Sequence, residues 1–111
     1  MWGGYIMKVC IWKIPFGWLT FGYTMKFTIE EKGYIELDKF DRQECWHLCN
    51  WSCWADGEKP DNLHSDLDCA NSDVIFLDPI TGVYHLALSF GWEEFKSLED
   101  TINYCIKIHE E

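Results

Sequence analysis

Four cysteines in the middle of the chain, with two histidines between them, have the composition of a metal site. The thiols are Cys45, Cys49, Cys53 and Cys69, and the imidazole candidates are His47 and His64. Zinc is held in structural sites by four tetrahedral ligands, which are drawn mainly from cysteine thiolates and histidine imidazoles. The sequence therefore predicts a structural zinc ion in this segment.

The spacing of four between the first three cysteines limits how they can share one ion. In a regular helix Cys45 and Cys53 would lie about 12 Å apart along the axis, whereas two ligands of one zinc lie within roughly 4.6 Å of each other. All three thiols reach one ion only if the helix breaks, and residues 50–52 are mediocre helix formers that permit a break. The first predicted ligand set is Cys45, Cys49, Cys53 and Cys69, and the alternative set is Cys49, Cys53, His64 and Cys69.

Other chemistry is possible for these thiols, because their spacing matches no standard zinc-finger pattern. Disulfides, an iron–sulfur cluster and unpaired buried thiols are the alternatives. A catalytic zinc would need an open ligand position and a nearby acid or base, and Glu44 is the only obvious neighbour. No nucleophile elbow, phosphate-binding loop or HExxH motif accompanies the cluster, so we expect no enzyme activity. Cys10 and Cys105 lie far from it and are predicted to be small core residues.

The charge balance indicates the kind of partner. Acidic side chains number 19 against 9 basic ones, which gives a formal net charge of −10. Direct nucleic-acid binding is therefore not expected, because it needs clustered Lys and Arg. An acidic surface suits a protein partner with a basic surface, and tryptophan is enriched at the centres of such interfaces. The predicted partner-binding residues are Trp46, Trp51, Trp54, Asp56, Glu58, Asp61, Asp66 and Asp68.

The apolar N-terminal residues 1–23 do not have the pattern of a targeting or membrane segment. Lys8, Lys13 and Pro15 interrupt them, and no small-residue cleavage site follows. The stretch is also too broken to span a bilayer. We expect these residues to be folded and the protein to be cytoplasmic, with Met7 as an alternative start to Met1.

Hydrophobic periodicity predicts an α+β fold in one domain, residues 1–111. Strands are expected at 5–14, in a central position, and at 19–29, 34–37, 74–77 and 83–90. Turns are expected at 31–33 and 78–82, and a helix is expected from Trp92 onwards. His85 is expected to be exposed to solvent. The result is an antiparallel sheet with a C-terminal helix and a cysteine-rich, metal-stapled insertion at 41–73, which we call the insert.

The run Cys45-Trp46-His47-Leu48-Cys49-Asn50-Trp51-Ser52-Cys53-Trp54, in a short acidic chain, resembles small proteins that phages encode against host defence. Among these it most resembles the zinc-containing anti-CRISPR inhibitors of a type II effector nuclease. The resemblance is one of size, charge and this insert. It implies that the chain blocks DNA loading or cleavage by such a nuclease in the host cytoplasm. The alternative is an immunity or antitoxin-like protein that masks a basic partner.

Overall fold

The computed structural model describes residues 6–13, 30–65, 67, 74–88 and 90–110. Within these ranges the chain forms six strands, two α-helices and two short 3₁₀ turns. The strands are β1 (Met7–Lys13), β2 (Glu30–Leu37), β3 (Leu63–Ser65), β4 (Val74–Leu77), β5 (Tyr84–Leu88) and β6 (Gly91–Phe95). The helices are α1 (Arg42–Leu48) and α2 (Leu98–Glu110), and the 3₁₀ turns are Trp51–Cys53 and Ala55–Gly57.

The described strands form one antiparallel sheet in the order β3-β2-β1-β4-β5-β6. β1 lies between β2 and β4, which confirms the central position predicted from its two apolar faces. The predicted α+β class, the antiparallel sheet and the C-terminal helix are likewise confirmed. The strand predicted at 19–29 lies outside the described residues.

Apolar side chains cover both faces of the sheet, because alternate residues of a strand point to opposite sides. On one face Val9, Ile11, Phe76 and their neighbours form a cluster that includes Cys45 and Cys49 of the insert. On the other face Ile75, Leu86 and Leu88 pack with Cys105 of α2. The insert and α2 therefore contribute to cores on opposite sides of the sheet. The core position predicted for Cys105 is confirmed, whereas Cys10 is only partly buried.

The turn predicted at residues 31–33 is wrong, because these residues lie inside the continuous strand β2. The glycine that suggested a turn serves a bulge instead. Ile11 pairs with Gly33 and Trp12 pairs with Glu31, so Lys32 is the extra residue on β2. Gly33 has φ of 104°, a value that favours glycine.

Replacing Gly33 by alanine is expected to destabilise the fold by more than about 2 kcal/mol, since backbone strain and a steric clash add together. A Cβ atom at this position would lie 2.1 Å from the backbone oxygen of His64 on β3. Gly82→Ala is the matched control, because φ there is 75° but no atom lies within 4 Å of the added carbon. Urea unfolding of the two variants separates strain from clash. Equal losses of stability would contradict the close packing of β2 against β3.

Three further sequence predictions concern residues 74–90. The strand at 74–77 and the turn at 78–82 are confirmed; in that turn the Asp78 carboxylate accepts the backbone N–H of Ile80 at 2.9 Å. The strand predicted at 83–90 ends earlier, at Leu88, and Phe90 lies in a turn, where it is 73% exposed.

The helix expected from Trp92 begins only at Leu98, because Gly91–Phe95 pairs with β5 as strand β6. Gly91, with φ of 143°, adopts a backbone conformation that other residues disfavour and allows the chain to reverse tightly after β5. Neither helix among the described residues is long and apolar enough to cross a membrane.

Candidate functional site

The insert begins with a helix that was not among the predicted elements. Asp41 caps it, and its carboxylate accepts the backbone N–H groups of Gln43 and Glu44 at 3.0 and 3.3 Å. Such a cap satisfies N–H groups that lack partners inside the helix. The helix α1 places Cys45 and Cys49 one turn apart on the side that faces the sheet.

Cys45 and Cys49 are completely buried in the apolar cluster on this face. Burial raises the pKa of the Cys49 thiol to about 12. The pKa of Cys45 is also raised, first by burial and then by the neighbouring Cys49, Glu44 and Asp41. Both residues therefore behave as neutral thiols within a hydrophobic core. Leu63 and Leu67 of the insert join them in the same cluster.

The helix ends at Leu48, close to where the spacing of the cysteines requires a break. The Asn50 side-chain amide donates to the carbonyl of Trp46 at 2.5 Å, and the Trp54 indole N–H donates to the carbonyl of Leu48 at 2.9 Å. These donors satisfy carbonyls that the last turn of a helix leaves free. The chain then continues as the 3₁₀ turn Trp51–Cys53.

This change of direction carries Cys53 away from the other two thiols. Cys53 is exposed, and its Sγ lies 3.5 Å from Nδ1 of His47. The Nε2 atom of the same imidazole lies 3.3 Å from Nε2 of Gln43. The structure thus brings together a thiol and an imidazole that the predicted ligand sets did not combine. His47 was recognised as a candidate from its place in the cysteine run, but its pairing depends on where the helix ends.

His64, the alternative fourth ligand, lies on the opposite side of the sheet from α1. Its neighbour Leu63 is buried in the cluster that contains Cys45 and Cys49, and side chains alternate along a strand. The His64 imidazole stacks on the ring of Tyr34, with 4.8 Å between centroids, and pairs with the Glu36 carboxylate at 2.5 Å. It is therefore positioned by strand β2 and not by the cysteine cluster.

The predicted ligand sets are not assembled in the part of the chain that the structure describes. Cys45 and Cys49 lie in the core, Cys53 lies at the surface, and Cys69 falls outside the described residues. Within the described ranges no three His, Cys, Asp or Glu side chains converge as a metal site. Among the described cysteines, Cys10, Cys45, Cys49 and Cys53 form no disulfide. The zinc ion and its ligands stay predictions.

The predicted partner surface contains a groove of about 380 Å³ beside the end of α1. We call it the acidic groove, and its lining residues are Glu44, His47, Leu48, Cys53, Trp54, Glu58 and Pro60. Asp56 and Asp61 are exposed in the same segment. Trp46 and Trp54 are partly buried against the core and partly accessible. Asp66 and Asp68 lie outside the described residues, and the structure describes only the backbone of Trp51.

A second polar cluster was missed from the sequence because His85 was expected to be exposed, which is wrong. His85 is only 9% exposed, and its ring contacts Phe40 with 4.8 Å between centroids. Nη1 of Arg42 lies 3.4 Å from Nδ1 of His85 and 3.1 Å from Oε2 of Glu94. Because guanidinium only donates, Nδ1 is the acceptor and the neutral ring carries its proton on Nε2. The alternation of residues in β5 did not indicate that His85 is buried, because the residues that cover this face belong to α1 and the segment before it.

His85 makes the free energy of unfolding depend on pH. Burial lowers its pKa; Arg42 lowers it further, while Glu94 and Asp78 oppose the change. As pH falls, His85 of the unfolded chain takes up a proton first. The stabilisation by the neutral His85 is therefore complete above about pH 6.5, the pKa of histidine in the unfolded chain, and is lost as pH falls towards the lower pKa of His85 in the folded chain. We expect the stability difference between wild type and His85→Gln to shrink between about pH 7.5 and 5.5. Urea unfolding at several pH values measures it, and a constant difference would exclude this role.

The His85 cluster lines a cleft of about 460 Å³. Its other lining residues are Asp38, Lys39, Phe40, Asp41, Arg42 and Glu44. The cleft carries charges of both signs. Arg42 is already engaged by Glu94 and by the Trp92 ring, whose centroid lies 5.2 Å from the guanidinium carbon. The cluster therefore ties α1 to strands β5 and β6.

Comparison with known proteins gives no relative from which a role could be transferred. No protein-family model matches the chain, and no curated protein or solved structure matches it significantly. The fold and the site define an α+β protein with an antiparallel sheet and a thiol-bearing, acidic insert.

Proposed function

We propose that this chain is a protein inhibitor without enzyme activity, and that its insert binds a basic surface of another protein. The observation that supports this most is the composition of the acidic groove. Leu48, Trp54 and Pro60 supply apolar lining, and Glu44 and Glu58 supply carboxylates. An apolar centre with a charged rim is the usual anatomy of a protein–protein interface.

Lysine and arginine side chains fit such a groove, since their aliphatic stems cover apolar surface while the charged ends meet carboxylates. The acids of the groove region outnumber its bases. Asp56, Glu58 and Asp61 are exposed, whereas the ammonium group of Lys59 donates to the carbonyl of Ser65 at 3.2 Å. The acidic rim would increase the rate of association with a basic partner.

Trp54 is suited to anchor a partner because its orientation is fixed before binding. Its indole N–H donates to the carbonyl of Leu48, and its ring is held against the core. A side chain that is already ordered loses little entropy on association. Trp46 is held against the same core. We propose that Trp51, Asp66 and Asp68 also belong to this surface, on the basis of the sequence.

The partner we propose is a type II CRISPR effector nuclease in the cytoplasm of a host cell. Such an enzyme holds its guide and target in a positively charged channel, so an acidic protein could block DNA loading or cleavage. The support is the resemblance in size, charge and insert, together with the acidic groove. The second candidate partner is a basic toxin that the chain would mask as an immunity or antitoxin-like protein.

The test replaces Asp56, Glu58 and Asp61 together by lysine. We expect the affinity for the purified nuclease to fall by at least about tenfold and its salt dependence to flatten. The matched control replaces Glu31, Glu93 and Glu99 by lysine. These three acids are exposed and lie outside the insert, so the net charge of the chain changes by the same amount. Titration calorimetry at low and physiological salt measures the affinity of each variant and its salt dependence.

The control separates a local interface from general attraction. The insert variant should lose much more affinity than the control variant. Equal losses would show that net charge alone attracts the partner and would contradict a role for the insert. If wild type shows no affinity for the nuclease, the same titrations with a basic toxin test the second candidate.

A further inference from the structure

The contact between His47 and Cys53 has a geometry that metal ligands share. Two ligands of a tetrahedral zinc, one sulfur at about 2.3 Å and one nitrogen at 2.0–2.1 Å, lie about 3.6 Å apart. Sγ of Cys53 and Nδ1 of His47 are separated by 3.5 Å. Both side chains are exposed in the acidic groove, where an ion from solvent can reach them.

We propose that the acidic groove binds a zinc-class divalent cation through Cys53, His47 and Glu44. Glu44 precedes His47 by three residues on α1, and residues at this spacing lie on one face of a helix. Its side chain is exposed and lines the same groove. Among the described side chains no three yet converge, so the site has two placed ligands and gains the carboxylate by rotation of an exposed side chain. Glu58 or a water molecule completes the tetrahedron.

Gln43 orients the imidazole for this role. The Gln43 amide N–H donates to Nε2 of His47, so the ring proton lies on Nδ1 and points to Sγ of Cys53. When Nδ1 binds the cation, the ring proton lies on Nε2 and requires an acceptor. A half-turn of the Gln43 amide presents its oxygen to Nε2. Metal-bound histidines regularly have such a partner, which fixes the ring and its tautomer.

This site is different from the one that the cysteine spacing predicts. Only Cys53 belongs to both, because Cys45 and Cys49 are enclosed in the apolar core. The ion would join the end of α1 to the following 3₁₀ turn, and so would stiffen the groove that we propose as the partner surface. The inference deepens the proposed function, because the ion binds in the groove that we propose as the partner surface. It concerns the purified chain alone and does not depend on the partner.

Titration of the metal-free protein with Co²⁺ tests the assignment, because cobalt replaces zinc and reports thiolate ligation by a near-ultraviolet charge-transfer band. We expect wild type to bind one equivalent with this band, and Cys53→Ser to lose the band. His47→Asn and Glu44→Gln should each weaken binding at least about tenfold. Gln43→Ala should weaken it by a similar or smaller factor while the band persists.

Cys49→Ala and Cys69→Ser are the matched controls, since both belong to the sequence-derived ligand sets and neither belongs to the groove site. Both should bind cobalt as wild type does, and circular dichroism checks that each is folded. Loss of binding in a folded control, with normal binding by His47→Asn, would overturn the groove site in favour of the thiolate set. Absence of cobalt binding by wild type would overturn both sites. Neither result bears on binding of the nuclease.

Discussion

Replacing Phe76 by alanine is expected to lower the free energy of unfolding by about 3–5 kcal/mol. Phe76 is fully buried on β4, between β1 and β5, and its ring lies 6.1 Å from that of Trp92. Removing the ring leaves a cavity that a sheet fixed on both sides cannot close. The same cluster holds Cys45 and Cys49, so the insert should loosen as well.

Urea unfolding measures the Phe76 effect, and Ile80→Ala is its control. Ile80 is an equally apolar side chain in the turn after β4, but it is 76% exposed. Its replacement should change stability by less than about 0.5 kcal/mol. A loss below about 1 kcal/mol for Phe76→Ala would show that β4 is not at the centre of the core.

Saturation with zinc is expected to stabilise the folded chain. At a free zinc concentration about a hundredfold above the Kd, the free energy of unfolding should rise by about 2.7 kcal/mol, because the cation binds the assembled groove of the folded state. Denaturation with and without zinc measures the difference. Cys53→Ser is the informative comparison, since it removes the proposed thiolate from an exposed position.

Two different results would contradict the zinc prediction. No stabilisation of wild type would mean that the groove does not bind the ion. The same stabilisation of wild type and Cys53→Ser would mean that the ion binds elsewhere. If the groove is the zinc site, the free energy of unfolding of Cys53→Ser rises by less than about 0.5 kcal/mol.

The strand and the turn at residues 74–82 were predicted correctly because periodicity and turn chemistry agree there. Val74–Leu77 is a short apolar run followed by Asp78-Pro79, and the structure has a strand and a turn there. β6 was predicted as a helix because Trp92, Phe95 and Leu98 recur at intervals of three, which resembles the apolar stripe of a helix. Pairing with β5 in a hairpin decides the conformation, and the spacing of the apolar residues does not reveal this pairing.

The candidate site shows the same limit. The sequence identified Cys53 and His47 as possible ligands, and it indicated that a helix through the cysteines has to break. It could not give the direction in which the chain leaves α1. That direction depends on the hydrogen bonds of Asn50 and Trp54 to the last turn of the helix. They place Cys53 beside His47, while packing against the sheet encloses Cys45 and Cys49.

The most direct test of the proposed function is the cleavage rate of a matched target DNA by a guide-loaded type II CRISPR effector nuclease in the presence of this chain. We expect cleavage to fall as the concentration of the chain approaches that of the nuclease. The variant with lysine at Asp56, Glu58 and Asp61 should restore cleavage, whereas the charge-matched control should still inhibit. Unchanged cleavage in a roughly tenfold molar excess of the wild-type chain would contradict inhibition of this nuclease.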